Sequence, residues 1–253
     1  MTTRDLQETT AIVTGASRGF GRATAIALIG AGAHVIGVAR DRDRLEDVRA
    51  ELGDAFTAVA ADAADPMVAG ELLDRYRPAT LVLNAGAGPL ARPVHHHTWE
   101  TFSRNWEVDV QQVFNWTREA LLLPMAAGST VIAFSSGAAL AGSPLSGGYA
   151  GAKATIRFIM QYAAEESKLG ELGIRLVSVL PVLSAATDLG APAAAAYAKR
   201  AGVEIDTVIA QRGWTLTPGQ VGAAVRELAT DSGFEGDAYR ITPGGLAPLP
   251  PSA

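Results

Sequence analysis

Tyr149 and Lys153 stand one helical turn apart in the stretch YAGAK, so a helix through them presents both side chains on one face. A tyrosine alone is a poor base at neutral pH. A lysine ammonium about 4 Å away, at an effective dielectric of about 20, favours the tyrosinate by about 4 kcal/mol and brings acid–base work towards neutrality. Ser136, which follows a short apolar run, is placed to hold a carbonyl oxygen. By itself the tyrosine–lysine pair is also what an ordinary helix surface looks like, so its meaning depends on what the chain assembles around it.

A second group lies near the N-terminus, where Ala11, Ile12 and Val13 run into TGASRGFG (Thr14 to Gly21) and then a helix-like ATAIALIGAG. Gly15, Gly19 and Gly21 allow a tight turn and a close approach of backbone to ligand, and the N–H groups opening the helix, with Ser17, Arg18 and Phe20 among them, form an anion site suited to phosphate. In a dinucleotide site the residue ending the second strand faces the adenosine ribose. Arg40 after Ala39 supplies a cation there rather than an acid, and with Arg18 it favours a 2′-phosphate, hence NADP over NAD. Asp62, beside Ala63, is a candidate acceptor for the adenine amino group, and Asn84, Ala85 and Gly86 bring backbone against the cofactor ribose.

The elements that must position these residues alternate. Strands are expected at Ala11 to Val13, His34 to Ala39, Phe56 to Ala60, Thr80 to Leu83, Ser129 to Phe134, Arg175 to Val179 and Ala238 to Ile241. Between them the periodicity predicts helices after the glycine turn, at Asp41 to Leu52, from the Asp65–Pro66 start to about Arg77, from Thr98 to about Ala127, at Tyr149 to Leu169, and from the Thr217–Gln220 capping box to Ala229. Such alternation builds an α/β fold, a single-domain doubly wound parallel sheet with helices on both faces. The segment from Ala185 to Leu216, about thirty residues, is too long for a structureless loop and is expected to form a helical lid over the strand ends.

Composition narrows the partners. With 48% hydrophobic and 19% charged residues a buried core is expected, and a net charge of −5 without a basic run argues against nucleic acid. The absence of cysteine excludes disulfides and thiolate metal sites and fits a reducing compartment. The charged N-terminal residues do not resemble a signal peptide, and the longest apolar run, Ala120 to Phe134, is broken by Pro124 and Gly128, so neither a leader nor a membrane span is expected and a cytoplasmic location is. His95, His96 and His97 point in different directions on any regular element and are read as a pocket rim, not a metal site. Tyr197 and Trp214 on the lid either line an apolar pocket or merely pack.

Taken together, TGASRGFG, Asp62, Asn84-Ala85-Gly86, Ser136, Tyr149 and Lys153 resemble the short-chain dehydrogenase/reductase family, and the resemblance covers nearly the whole chain. It implies a Rossmann-type fold and hydride transfer between a nicotinamide and a carbonyl or alcohol. Tyr149 would be acid or base, Lys153 would activate it and grip the nicotinamide ribose, Ser136 would polarise the substrate oxygen, and Pro181 would touch the nicotinamide. It also implies a homodimer or homotetramer through the helices ending near Ala127 and Leu169. The chain departs from the family at Asp109, where a relay asparagine is usual, at Val182 after Pro181, where a glycine is, at Ala186, where a threonine is expected with Ser184 and Thr187 nearby, and at Thr242-Pro243-Gly244-Gly245. Asp109 is expected to accept from a water linking Lys153 to bulk, with Asn105 as the alternative relay residue. The reading is an NADP(H)-dependent oxidoreductase for a fairly apolar carbonyl or alcohol; a dinucleotide-binding sensor or scaffold without turnover, and an epimerase using transient hydride transfer, stand as alternatives.

Overall fold

The computed structural model describes residues 5–231 and 233–250; residues 1–4 of the charged N-terminal segment lie outside them. Short apolar runs form β1 (Thr10–Thr14), β2 (His34–Ala39), β3 (Phe56–Ala60), β4 (Thr80–Leu83), β5 (Thr130–Phe134), β6 (Arg175–Pro181) and β7 (Ala238–Thr242). A further strand, β8 (Gly245–Pro248), was not expected. The strands make one sheet in the order β3-β2-β1-β4-β5-β6-β7-β8, parallel except for β8, which turns back antiparallel on β7.

Alternate strand residues enter opposite layers, which is why these strands read as continuous apolar runs. Val13, Val82 and Ile132 face α1 (Gly19–Ile29), α2 (Arg42–Leu52) and α10 (Pro218–Thr230), meeting Leu28, Leu45 and Leu228. Ile12, Leu81 and Val131 face α3 (Pro66–Tyr76), α5 (Gln111–Leu122) and α7 (Gly148–Leu169), meeting Leu72, Trp116 and Met160. The caps form as their residue types dictate: Asp65 accepts from Met67 N at 2.9 Å with Pro66 opening α3. Thr217 and Gln220 cap each other at α10.

The helix expected from Thr98 to about Ala127 is three pieces. α4 (Trp99–Asn105) passes into a π-helical turn, Trp106–Val110, and then α5, which ends at Leu122 ahead of Pro124 because proline can neither donate nor continue the helix. After β5 come the short α6 (Ala138–Ala141) and α7. The expected lid carries two helices, α8 (Gly190–Ala201) and α9 (Ile205–Arg212). Among the described residues no helix is long and apolar enough to cross a membrane.

Candidate active site

From β1 the chain runs outward through β2 to β3 and then crosses back to β4 on the other side of β1, so a crevice opens at the carboxyl ends of β1 and β4, where doubly wound sheets bind ligands. Thr14 closes its floor: Oγ1 accepts from the N–H groups of Asn84 and Ala85 at 2.9 and 3.0 Å and donates to Gln112 Oε1 at 3.0 Å. Asn84 Nδ2 donates back to the carbonyls of Thr14 and Gly15 at 3.1 and 3.3 Å. The glycine turn has no room for side chains on this inner side: a Cβ on Gly15, at φ +68°, would sit 2.8 Å from Asn84 Nδ2, and one on Gly21 would strike the Gly15 carbonyl. Gly19, at φ +54°, faces open space.

A cleft of about 880 Å³ spreads from this turn and gathers every expected site residue: Gly15, Ser17, Arg18, Gly19 and Phe20 at one end with Arg40, Asp62 and Ala63; Asn84, Ala85, Gly86 and Asp109 in the middle; Ser136, Tyr149, Lys153 and Pro181 opposite. Gly21, the exception, is buried behind the turn. Asp62 Oδ1 accepts from Ala64 N at 3.0 Å, and the Ala63 carbonyl accepts from Trp116 Nε1 at 2.9 Å, which fixes the loop below β3.

Lys153 is the buried centre of the opposite wall. Its Nζ donates to the Phe134 carbonyl at 2.9 Å, pairs with Asp109 Oδ2 at 3.1 Å and lies 5.6 Å from the centroid of the Tyr149 ring. Burial alone pushes this ammonium down, but Asp109 and then Tyr149 outweigh it and hold its pKa above that of an ordinary lysine. Asp109, also buried, accepts from Ala87 N at 2.7 Å and from Asn105 Nδ2 at 3.4 Å, while Asn105 Nδ2 donates to the Ala87 carbonyl at 2.8 Å. The two relay candidates are thus one unit beneath the Gly86–Ala87 backbone. Here the expectation needs revising: the Asp109 carboxylate meets Lys153 directly, and Asn105 reaches Asp109 and the backbone instead. Ser136 Oγ accepts from Ala138 N at 3.2 Å, and the Tyr149 hydroxyl makes no hydrogen bond to another described residue.

Beyond Pro181 the backbone stays in the sheet, Val182 N donating to the Ile241 carbonyl at 3.0 Å. Thr187 is used by the lid itself, donating to Ser184 O and accepting from Gly190 N, both at 3.0 Å. Ser184 is buried against the cleft, and its Oγ has no partner among the described residues. Of the histidines, His95 and His96 are exposed with their rings edge to face, and His97 turns in, with Nδ1 3.2 Å from Thr101 Oγ1.

Three cleft residues escaped the sequence reading. Arg44 lies one turn beyond Arg40, a spacing that could have found it; Asp188 and Arg212 lie on the lid, where no pattern marks them. Asp188 Oδ2 pairs with Arg18 at 2.8 Å and approaches Arg44 at 3.7 Å. Asp41, the acid next to Arg40, is spent on Arg44, whose main-chain N–H and Nε it meets at 3.1 and 3.2 Å.

Comparison with known proteins places this cleft in company. The family model for short chain dehydrogenase matches residues 9–198. Serine 3-dehydrogenase of Rhizobium radiobacter is 34% identical over 184 residues, 68% of this chain and 70% of that protein. L-xylulose reductase of Mesocricetus auratus is 36% identical over 103 residues, and the match spans only 41% of this chain and 42% of that protein. The crystal structure of 3-ketoacyl-(acyl-carrier-protein) reductase from Brucella melitensis complexed with NADH matches with a TM-score of 0.78 at 25% identity, over 94% of this chain and 98% of that one.

Proposed function

The chain belongs to the short-chain dehydrogenase/reductase family of oxidoreductases, and we propose that within it this protein uses NADP(H) to interconvert a carbonyl and a secondary alcohol on a small, fairly apolar molecule. The observation that carries the reading is the burial of Lys153 between Asp109, the Phe134 carbonyl and the Tyr149 ring, in the same cleft as the glycine turn. When bound, the cofactor supplies or takes up the hydride at its nicotinamide. The residues fit it: the turn excludes side chains and no side chain caps the helix start at Arg18, and the orphaned Ser184 Oγ, three residues beyond β6, suits the carboxamide. Ser136 holds the substrate oxygen, Tyr149 gives that oxygen its proton in reduction and takes it in oxidation, and the Lys153 ammonium offsets the charge then left on Tyr149.

The preference for NADP(H) rests on the cations at the adenosine end. Arg40 has no ion-pair partner among the described residues, Arg18 pairs with the exposed Asp188, which a 2′-phosphate can displace, and Arg44 is held by Asp41 and approaches Asp188. Each charged hydrogen bond contributes about 1.5 to 3 kcal/mol, so NADPH should bind at least tenfold more tightly than NADH. Fluorescence titration of both cofactors tests this, and Arg40→Asp should invert the order; equal dissociation constants would remove the NADP assignment. In the same titration Tyr149→Phe should leave NADPH affinity within a few fold while turnover of a ketone panel falls by about a hundredfold or more. NADPH binding without turnover in the unmodified protein would move the reading to the sensor.

Self-association is part of the proposal. Phe158 and Tyr162 stack on α7 with 44% and 59% of their surfaces exposed, and Phe114 is 52% exposed on the neighbouring α5.

A further inference from the structure

The lid turns a particular chemistry into the cleft. Leu189, which caps the start of α8, and Ala193 and Tyr197 on its following turns line it together with Arg212, the last residue of α9, and Trp214 just beyond. The Tyr197 and Trp214 rings meet edge to face at 5.3 Å, and the Arg212 guanidinium carbon lies 4.9 Å from one ring centroid and 5.2 Å from the other. The exposed guanidinium lies over both rings and donates no hydrogen bond to another described residue, so its N–H donors remain to receive a planar two-oxygen acceptor.

No described residue neutralises this cation. Lys153 is paired with Asp109, Arg22 with Glu51, and Arg18 and Arg44 with Asp188, whereas Arg212 makes no ion pair or hydrogen bond with another described residue. Tyr197 does not supply the missing charge, because burial pushes its hydroxyl above the ordinary tyrosine value more than Arg212 and Arg200 pull it down. We infer that the substrate is an acid: a keto or hydroxy carboxylate whose anion sits on Arg212 and whose apolar body lies against Leu189, Ala193 and Trp214. This rests on the oxidoreductase reading and narrows its substrate class.

The test pairs each acid with its uncharged twin. Levulinate and para-acetylbenzoate are assayed beside their methyl esters with NADPH and with NADH, so that a wrong cofactor assignment does not intrude, and binding of both acids is measured by calorimetry on the cofactor-loaded protein. The expected result is a kcat/KM at least tenfold higher for an acid than for its ester. Arg212→Gln should then raise KM for the acid at least tenfold, change kcat less than twofold and leave the ester alone, with Arg212→Lys recovering only part of the loss. Equal handling of acid and ester, or a Gln variant that affects both alike, overturns the inference. If no compound is turned over, the oxidoreductase reading fails, and calorimetry still decides the anion site: acid binding weakened tenfold by Arg212→Gln upholds it, and unweakened or undetectable binding removes it.

Discussion

Lys153 stays charged because of one neighbour. Burial pushes the ammonium down, and Asp109, with Tyr149 behind it, raises the net value above the ordinary 10.5. A base whose folded value is raised contributes stability that is whole below 10.5 and is lost as pH climbs through the folded value, so the pair contributes fully at neutral pH and fades in the alkaline range. Asp109→Asn keeps the contacts to Ala87 and Asn105 available but removes the main upward influence, leaving burial opposed only by Tyr149. Under the proposed function the cofactor needs the ammonium, so its affinity should then begin to fall about one pH unit lower than in the unmodified protein. Dissociation constants measured from neutral to alkaline pH for both proteins check this, and superimposable curves would show that Asp109 does not hold the charge. Tyr149, Lys153 and Ser136 were legible because their spacing is local. The Asp109–Lys153 pair was not, because it joins α7 to a helical turn whose geometry no residue type announces.

That turn is the main lesson among the elements. Apolar periodicity from Thr98 onward reads as one helix, since a π turn adds residues without changing their character, yet the extra width at Trp106–Val110 is the stretch from which Asp109 reaches beneath Gly86. Caps were easier to read, because Asp65–Pro66 and Thr217–Gln220 act within one turn. Arg175 falls between these cases: the sequence marks it only as the start of β6, whereas its guanidinium donates to the carbonyls of Leu228, Asp231 and Phe234 and terminates α10. Arg175→Met would leave those partly buried acceptors without a charged donor, at a cost of about 2 kcal/mol. Thermal unfolding should shift down by about 4 to 8 °C with the cofactor site intact. An unchanged midpoint would mean that the three carbonyls find other donors.

At the scale of the molecule, alternation of strand and helix was enough to give a parallel sheet with helices on both faces, because right-handed crossovers leave few alternatives, but the order of the strands came from the structure. It did not give β8, since Thr242-Pro243-Gly244-Gly245 invites a turn whether or not a strand follows. The aromatic surface of α7 carries the proposal of self-association: Phe158→Glu with Tyr162→Glu should reduce the sedimenting mass to that of one chain, and an unaltered mass in the variant would place the interface elsewhere. The lid was expected as helical turns and holds two helices, but its most telling feature is where it begins and ends. Ser184 and Thr215 form an isolated antiparallel bridge, and Ala185 N donates to the Trp214 carbonyl at 3.5 Å, so the two ends of the segment, one coming from β6 and the other leading into α10, lie side by side. The scaffold therefore holds those ends together whatever runs between them, and the entropy of closing the loop grows only slowly with its length. The segment behaves as a cassette: it can be lengthened, shortened or exchanged in evolution or by grafting, giving the same hydride-transfer chassis a new diet without refitting the gears.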